Sequence, residues 1–299
     1  MAALVSCSDR SGVTAINDIT YVITTPEQLD AVRDNLSAHY KLGADIDLGD
    51  YLDYDGAGYA KWGEAGWEPI GTFTGSLDGA GYKITGLWIN RPSSDNIGLF
   101  GYISNATIKN IGIESATSAA IKGNYHVGGV AGYVNNRSII TNCYIIGTVR
   151  GSSYIGGMAG TIDKGSIITN CYVAGFVRGN SYLGGVVGFI NRSSIINCVA
   201  LNTSVTALRS SRYLGRVVGF SVINKNNTLI NNWASRYMEI TAVGVMKTLN
   251  NLSNKVDGRD CAIIPASAGW WTNAAPNGPG WSETDWIFID SQLPKLRWE

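Results

Sequence analysis

The chain has 299 residues, 45% hydrophobic and 15% charged, with 37 glycines, 7 prolines and 5 cysteines at a formal net charge of zero. That length and apolar content supply a large core and exclude a disordered chain; no apolar run approaches the roughly 20 residues of a membrane-spanning helix, and the glycine density excludes a long helical bundle. The zero charge hides a strongly basic middle: residues 1–96 hold 6 Lys/Arg against 14 Asp/Glu, residues 97–237 hold 12 against 2, and the remainder 5 against 7.

In chain order, residues 1–18 read as an N-terminal tail. Its Leu4-Val-Ser-Cys7 run resembles a bacterial lipoprotein cleavage box, which makes Cys7 a candidate lipidation site, the tail a candidate lipoprotein linker and a lipid anchor a candidate attachment. Residues 19–39 read as an N-terminal cap. Thr25-Pro-Glu-Gln28 is a capping box with proline at the first helical position, and Leu29, Val32 and Leu36 follow at helical spacing. They predict a helix near 26–36 that plugs the end of the structure.

Alternation of Tyr40, Leu42, Ala44, Ile46 and Leu48 predicts a strand opening the irregular coils of residues 40–96, with turns at Asp78-Gly79 and Ala80-Gly81. Asp45, Asp47, Asp50, Asp53 and Asp55 crowd the same stretch. Hard oxygen ligands at that density are a candidate calcium site, but the spacing does not complete an Asp-x-Asp-x-Asp-Gly loop, and solvated acidic turns are the default reading. No other cofactor is indicated.

Residues 97–237 are a tandem repeat. Tyr154-Ile-Gly-Gly-Met-Ala-Gly160 recurs as Tyr182-Leu-Gly-Gly-Val-Val-Gly188, as Tyr213-Leu-Gly-Arg-Val-Val-Gly219 and, upstream, as His126-Val-Gly-Gly-Val-Ala-Gly132, with a shorter Ile97-Gly-Leu-Phe-Gly101 before it. The spacings are 31, 28, 28 and 31. A second phrase, Ile139-Ile-Thr-Asn-Cys143, recurs at Ile167 to Cys171 and Ile195 to Cys198, with weaker copies ending at Ile111 and Trp233.

Short β-branched runs between Gly, Asn and Ser cannot bury an apolar face alone, so copies must stack. Helical repeats fail on glycine density, leucine-rich repeats lack their spaced leucines, and a propeller blade needs a longer unit. A single all-β parallel β-helix remains, expected to be right-handed, with about 28 residues per coil. After Tyr237 the repeat fades, and Trp270, Trp271, Trp281, Trp286 and Trp298 with Asn277-Gly-Pro-Gly280 mark residues 238–299 as an irregular C-terminal cap.

Stacking aligns like side chains in files. Cys143, Cys171 and Cys198 are expected as buried apolar thiols, because stacked neighbours point in parallel and no Cys-x-x-Cys or His partner accompanies them. Asn142, Asn170 and Asn197 are expected to bond along the axis at turns. Two basic files are expected: Lys122, Arg150, Arg178 and Arg209 at one phase, and Arg137, Lys164, Arg192 and Lys225 at another. In-register like charges gain nothing for folding, so these are candidate contacts for sulfated, sialylated or phosphorylated polymers, against the alternative of solvated charges that discourage aggregation. Tyr154, Tyr182 and Tyr213 are candidate sugar-stacking rings or packed corners.

The repeated phrases resemble the GLUG motifs of bacterial surface and secreted proteins; Gly98-Leu-Phe-Gly101 matches the name itself. Tyr40-Lys-Leu-Gly-Ala-Asp-Ile-Asp-Leu48, Trp67-Glu-Pro-Ile-Gly71, Phe73-Thr-Gly-Ser-Leu-Asp-Gly79 and Leu293-Pro-Lys-Leu296 are phrases that accompany such repeats, so the resemblance covers roughly residues 19–299. It implies a β-helix at the bacterial cell surface or outside the cell, in adhesin-like proteins or as accessory segments of immunoglobulin A peptidases. No peptidase motif is visible: the chain has only His39 and His126, neither followed by Glu.

The leading expectation is a noncatalytic module for adhesion or for binding a host or environmental glycan, with no catalytic residue assigned. One alternative is a carbohydrate-active β-helix enzyme, a polysaccharide lyase or glycosidase, for which the repeat region offers only Glu114 and Asp163 as carboxylates. Another is a structural spacer joined to other domains of a larger surface protein. No recognised nucleic-acid motif is present.

Overall fold

The computed structural model describes residues 19–116, 120–211, 213–248, 255–261 and 267–297. Cys7, its tail and Trp298 lie outside the described residues. The chain winds as a parallel β-helix with four faces per coil. One coil runs through Ser153–Gly156, Ala159–Ile162, Ile167–Thr169 and Tyr172–Gly179, here numbered faces 1 to 4. The next repeats them at Ser181–Gly184, Val187–Ile190, Ser194–Ile196 and Val199–Ala207.

The two coils pair in parallel with Ile155 on Leu183, Ala159 on Val187, Ile168 on Ile195 and Val173 on Ala200. Among the described residues, faces 1 to 4 grow into sheets of 4, 6, 8 and 12 strands. On face 4 a file of Ile46, Ile84, Ile113, Ile145, Val173, Ala200 and Ala234 runs inside, every member buried. Each buried Ile or Val stabilises by about 2 kcal/mol, a gain that one coil alone cannot reach.

Between faces 3 and 4 the chain turns through a left-handed residue, and Asn110, Asn142, Asn170, Asn197 and Asn231 all hold φ between 50° and 54°. Most L-residues pay about 1–2 kcal/mol there; Asn is tolerated, and its amide bonds locally. Asn142 Nδ2 donates to Asn110 Oδ1 at 3.2 Å, Asn197 to Asn170 at 3.2 Å and Asn231 to Asn197 at 2.9 Å. The file starts on Asp78 Oδ1, 3.0 Å from Asn110 Nδ2.

One residue further, Cys143, Cys171 and Cys198 are fully buried and free, as expected. Each thiol donates to a nearby carbonyl, Cys143 to Thr141 and Cys171 to Thr169 at 3.1 Å, Cys198 to Ile196 at 3.3 Å. In the following coil Asn232 takes over, its Oδ1 accepting from Cys198 N at 3.0 Å.

Four local expectations are revised. The helix near 26–36 is an α-helix over Pro26–Asp30 that tightens into a 3-10 turn over Ala31–Asp34. Buried Asp30 sets this end, taking Arg33 Nε at 2.5 Å, Tyr51 OH at 3.1 Å and the Lys61 ammonium. The single strand expected over residues 40–48 is two, His39–Leu42 on face 3 and Ile46–Asp47 on face 4, because the chain rounds a corner at Gly43. Helices at Gly49–Leu52 and Ala57–Trp62 interrupt the first coils, and Thr20–Ile23 already forms the first rung of face 3.

The fourth revision concerns the C-terminus. Segment 267–297 lies along the side of the rod: Trp271, Trp281 and Trp286 bury against Tyr172 and Val199 on the outside of face 4. Tyr172 OH donates to Pro294 O at 3.0 Å and Trp281 Nε1 to Asn197 O at 2.8 Å. The end itself is closed earlier. Arg216, fully buried, donates to Asp257 O at 2.9 Å, Gly258 O at 3.1 Å and Asp260 Oδ1 at 2.5 Å.

Candidate functional site

Strands Ile121–Lys122, Tyr144–Arg150 and Tyr172–Gly179 end on face 4 with Lys122 paired to Arg150 and Arg150 to Arg178. Strand alternation puts Val149 and Val177 inside, so the neighbouring cations point out, and all three are exposed. Rungs are about 4.8 Å apart, which makes the file a row of like charges at a fixed repeat.

None of the three forms an ion pair with a described residue. They line a groove of about 350 Å³ together with Pro92, Ser152 and Asn180, and among the described residues no carboxylate lines it. Asn180 Nδ2 donates to Ser152 Oγ at 3.3 Å, which fixes a polar floor beside the charges. The groove can neutralise an anion that carries charges along its length.

Arg209 does not join this file. Arg178 pairs with Thr206 and Gly179 with Ala207, 28 positions on, whereas Leu183 pairs with Leu214, 31 positions on, so the extra residues of this coil fall between those pairs and Arg209 is exposed beyond the strand. The second file is partly assembled, at the corner between faces 2 and 3. Arg137, Lys164 and Arg192 all hold positive φ, with Arg137 N donating to Lys164 O at 3.0 Å and Gly165 N to Arg192 O at 2.7 Å. Lys225 is exposed in the longer loop between Ser221 and Thr228. The two files therefore run along opposite corners of the cross-section.

Tyr154, Tyr182 and Tyr213 do form a file, headed by His126. Successive ring centroids are 4.8, 4.6 and 4.5 Å apart with the planes nearly parallel. Phe189 and Phe220 pack edge-on against them. The flat faces between successive rings are thus occupied by neighbours, and the packed-corner alternative describes the inner members. His126 accepts or donates one hydrogen bond to Thr161 Oγ1 at 2.8 Å, and burial, opposed by the charge of Asp95, lowers its pKa.

The five clustered aspartates do not converge. Asp45 Oδ1 accepts from Lys83 N at 2.9 Å, Asp47 Oδ1 from Gly49 N at 2.9 Å and Asp53 Oδ1 from Tyr54 N at 2.8 Å. Asp50 lies in the Gly49–Leu52 helix, and Asp55 follows it. Among the described residues no three His, Cys, Asp or Glu side chains are grouped to hold a metal ion.

Glu114 and Asp163 are on different parts of the coil and are not a carboxylate pair. Asp163 sits in the turn between faces 2 and 3, taking Asn191 Nδ2 at 2.8 Å and Tyr133 OH at 3.3 Å. Glu114 lies on face 4 and pairs with Lys83 at 3.2 Å. That pair had no motif in the sequence; only the rung register brings Lys83 beside residues 31 positions away. His39 and His126 likewise stand on faces 3 and 1.

Comparison with known proteins agrees with this geometry. Residues 123–150, one coil from the corner before face 1 to Arg150, match the model of the GLUG motif. A protein of Evansella cellulosilytica described as a candidate Gly-rich membrane protein is 39% identical over 129 residues, covering 41% of this chain and 14% of that protein. Halomucin of Haloquadratum walsbyi is 39% identical over 121 residues, 38% of this chain and 1% of its own length. The matched region thus spans a small part of these relatives. A crystal structure from Bacteroides ovatus, described as a candidate immunoglobulin A1 protease, superposes with a TM-score of 0.66 at 20% identity, covering 95% of this chain and 94% of that one. This likeness shows the fold.

Proposed function

We propose that the protein is a noncatalytic surface or extracellular β-helix module that binds an acidic polymer, such as a sulfated or uronic-acid glycan, along the Lys122–Arg150–Arg178 groove. The observation that carries this reading is that three cations are held in register on neighbouring rungs without a carboxylate beside them. Such a row costs folding energy and is relieved by a polyanion. The surface placement is supported by the GLUG match and by a relative described as a membrane protein.

A glycan array probed at low and physiological salt tests it. Binding of acidic glycans that weakens with salt, without turnover, is the expected result; release of unsaturated or hydrolysed uronate products would instead favour the enzyme reading. A second reading, a rigid spacer, is favoured by one observation: the matched region is only 14% of the Evansella relative. It predicts an array with no acidic glycan bound.

A further inference from the structure

The C-terminal segment does more than cover face 4. Where it crosses the beginnings of the strands it leaves a cleft of about 570 Å³, lined by Lys83, Glu114 and Tyr144 from three successive rungs and by Gln292, Leu293 and Lys295 from the segment. A mostly apolar cleft with a few convergent polar groups is the usual form of a small-ligand site.

The polar groups are pre-positioned. Lys83 Nζ lies 3.2 and 3.3 Å from the two oxygens of Glu114, and Tyr144 OH donates to Glu114 Oε1 at 3.1 Å. Tyr144 reaches that carboxylate by lying over Gly112, where a Cβ would stand 2.2 Å from the ring. Burial and the Glu114 charge push the Tyr144 phenol up, so it remains a donor at neutral pH. A carboxylate has about four lone-pair positions, so Glu114 keeps acceptor capacity toward the cleft. Tyr144 and Tyr172 stack at 5.1 Å and, with Leu293, supply an apolar wall.

The two lysines outnumber the single carboxylate, and Lys295 has no ion-pair partner among the described residues. We propose that this cleft binds one acidic sugar residue, a hexuronate, with ring hydroxyls on Glu114 and Lys83, the apolar ring face on the Tyr144 side and the sugar carboxylate on Lys295. The cleft and the basic groove lie at opposite ends of strand Tyr144–Arg150, about 20 Å apart, and use different side chains, so either site can fail without the other.

The test is calorimetric titration with galacturonate, glucuronate and mannuronate, with glucose and acetate as controls. Tryptophan fluorescence gives a second readout, since Tyr172 lies 5.9 Å from Trp286. At least one hexuronate is expected to bind at millimolar concentration, more tightly than glucose, with acetate silent. Glu114→Gln should weaken it about tenfold, the scale of a lost charged hydrogen bond. Lys295→Gln, an exposed site whose change leaves the fold intact, should erase the preference over glucose. Failure of all three hexuronates to bind, or affinity unchanged in both variants, would overturn the proposal.

Discussion

Arg216 occupies the position that Gly185 holds one coil earlier, and its carbonyl oxygen lies 2.1 Å from where a Cβ on Gly185 would stand. Glycine is required inside the stack because the next rung's backbone fills that space. At the last repeat the place opens, and a guanidinium enters to bond the closing rung.

Two substitutions separate these roles. Gly185→Ala should destabilise by roughly 1–3 kcal/mol through overpacking against backbone. Arg216→Met should cost about 3 kcal/mol, because it takes the guanidinium donor from the buried carbonyls of Asp257 and Gly258. Urea unfolding followed by circular dichroism measures both, and a neutral Arg216→Met would show that the closing rung does not depend on the guanidinium.

His126 heads a file otherwise made of tyrosine, and its pKa is lowered by burial. Its neutral form is favoured by the fold, so its contribution is complete above the ordinary pKa near 6.5 and falls as pH drops through the lowered value. His126→Tyr continues the tyrosine file and should remove that fall. Unfolding free energy measured from pH 7 down to pH 5 should decline more steeply in the wild type than in the variant.

Asp30 adds loss at lower pH. Burial alone would raise its pKa, but hydrogen bonds from Lys61 and Arg33 outweigh it and the net shift is downward. Its stabilisation is present above the ordinary carboxylate range near 4 and is lost as pH falls below it. Asp30→Asn should flatten the acid limb of the unfolding curve and lower stability at neutral pH. An acid limb identical in both proteins would remove Asp30 from the account.

The buried thiols should be inert. Burial pushes Cys171 up, and pushes Cys261 up to about 12 against the opposing field of Arg216. Thiolate is the reactive form. In native protein at neutral pH, peptides carrying Cys171 and Cys261 should remain unalkylated by iodoacetamide in a mass-spectrometric experiment, and should label fully in urea.

Much of the architecture is legible in the sequence because a β-helix writes its rung spacing as a repeat. The phrase from Tyr154 to Gly160 and its copies place faces 1 and 2, and Asn142 and Cys143 mark the corner before face 4. What lacks that period is not legible. The Trp-rich segment carries no signal tying Trp281 to Tyr172, and Arg209 falls from its file because the extra residues of its coil are inserted after Ala207, a placement that only the strand register fixes. The split at Gly43 looks like continuous alternation because both flanking strands bury the same parity. The phase of Lys122, Arg150 and Arg178 in the groove is readable directly, whereas the Lys83–Glu114 pair of the cleft is brought together only by the register of neighbouring rungs.

The most direct measurement of the central claim is the salt dependence of binding to a sulfated polysaccharide such as heparin, for the wild type and for Arg150→Gln/Arg178→Gln. Counterion release makes the logarithm of the affinity fall with the logarithm of salt at a slope close to the number of charges neutralised. A wild-type slope of about three, reduced to about one in the double variant with weaker binding throughout, is the predicted result. Affinity that persists at high salt, or that is the same in both proteins, would contradict it.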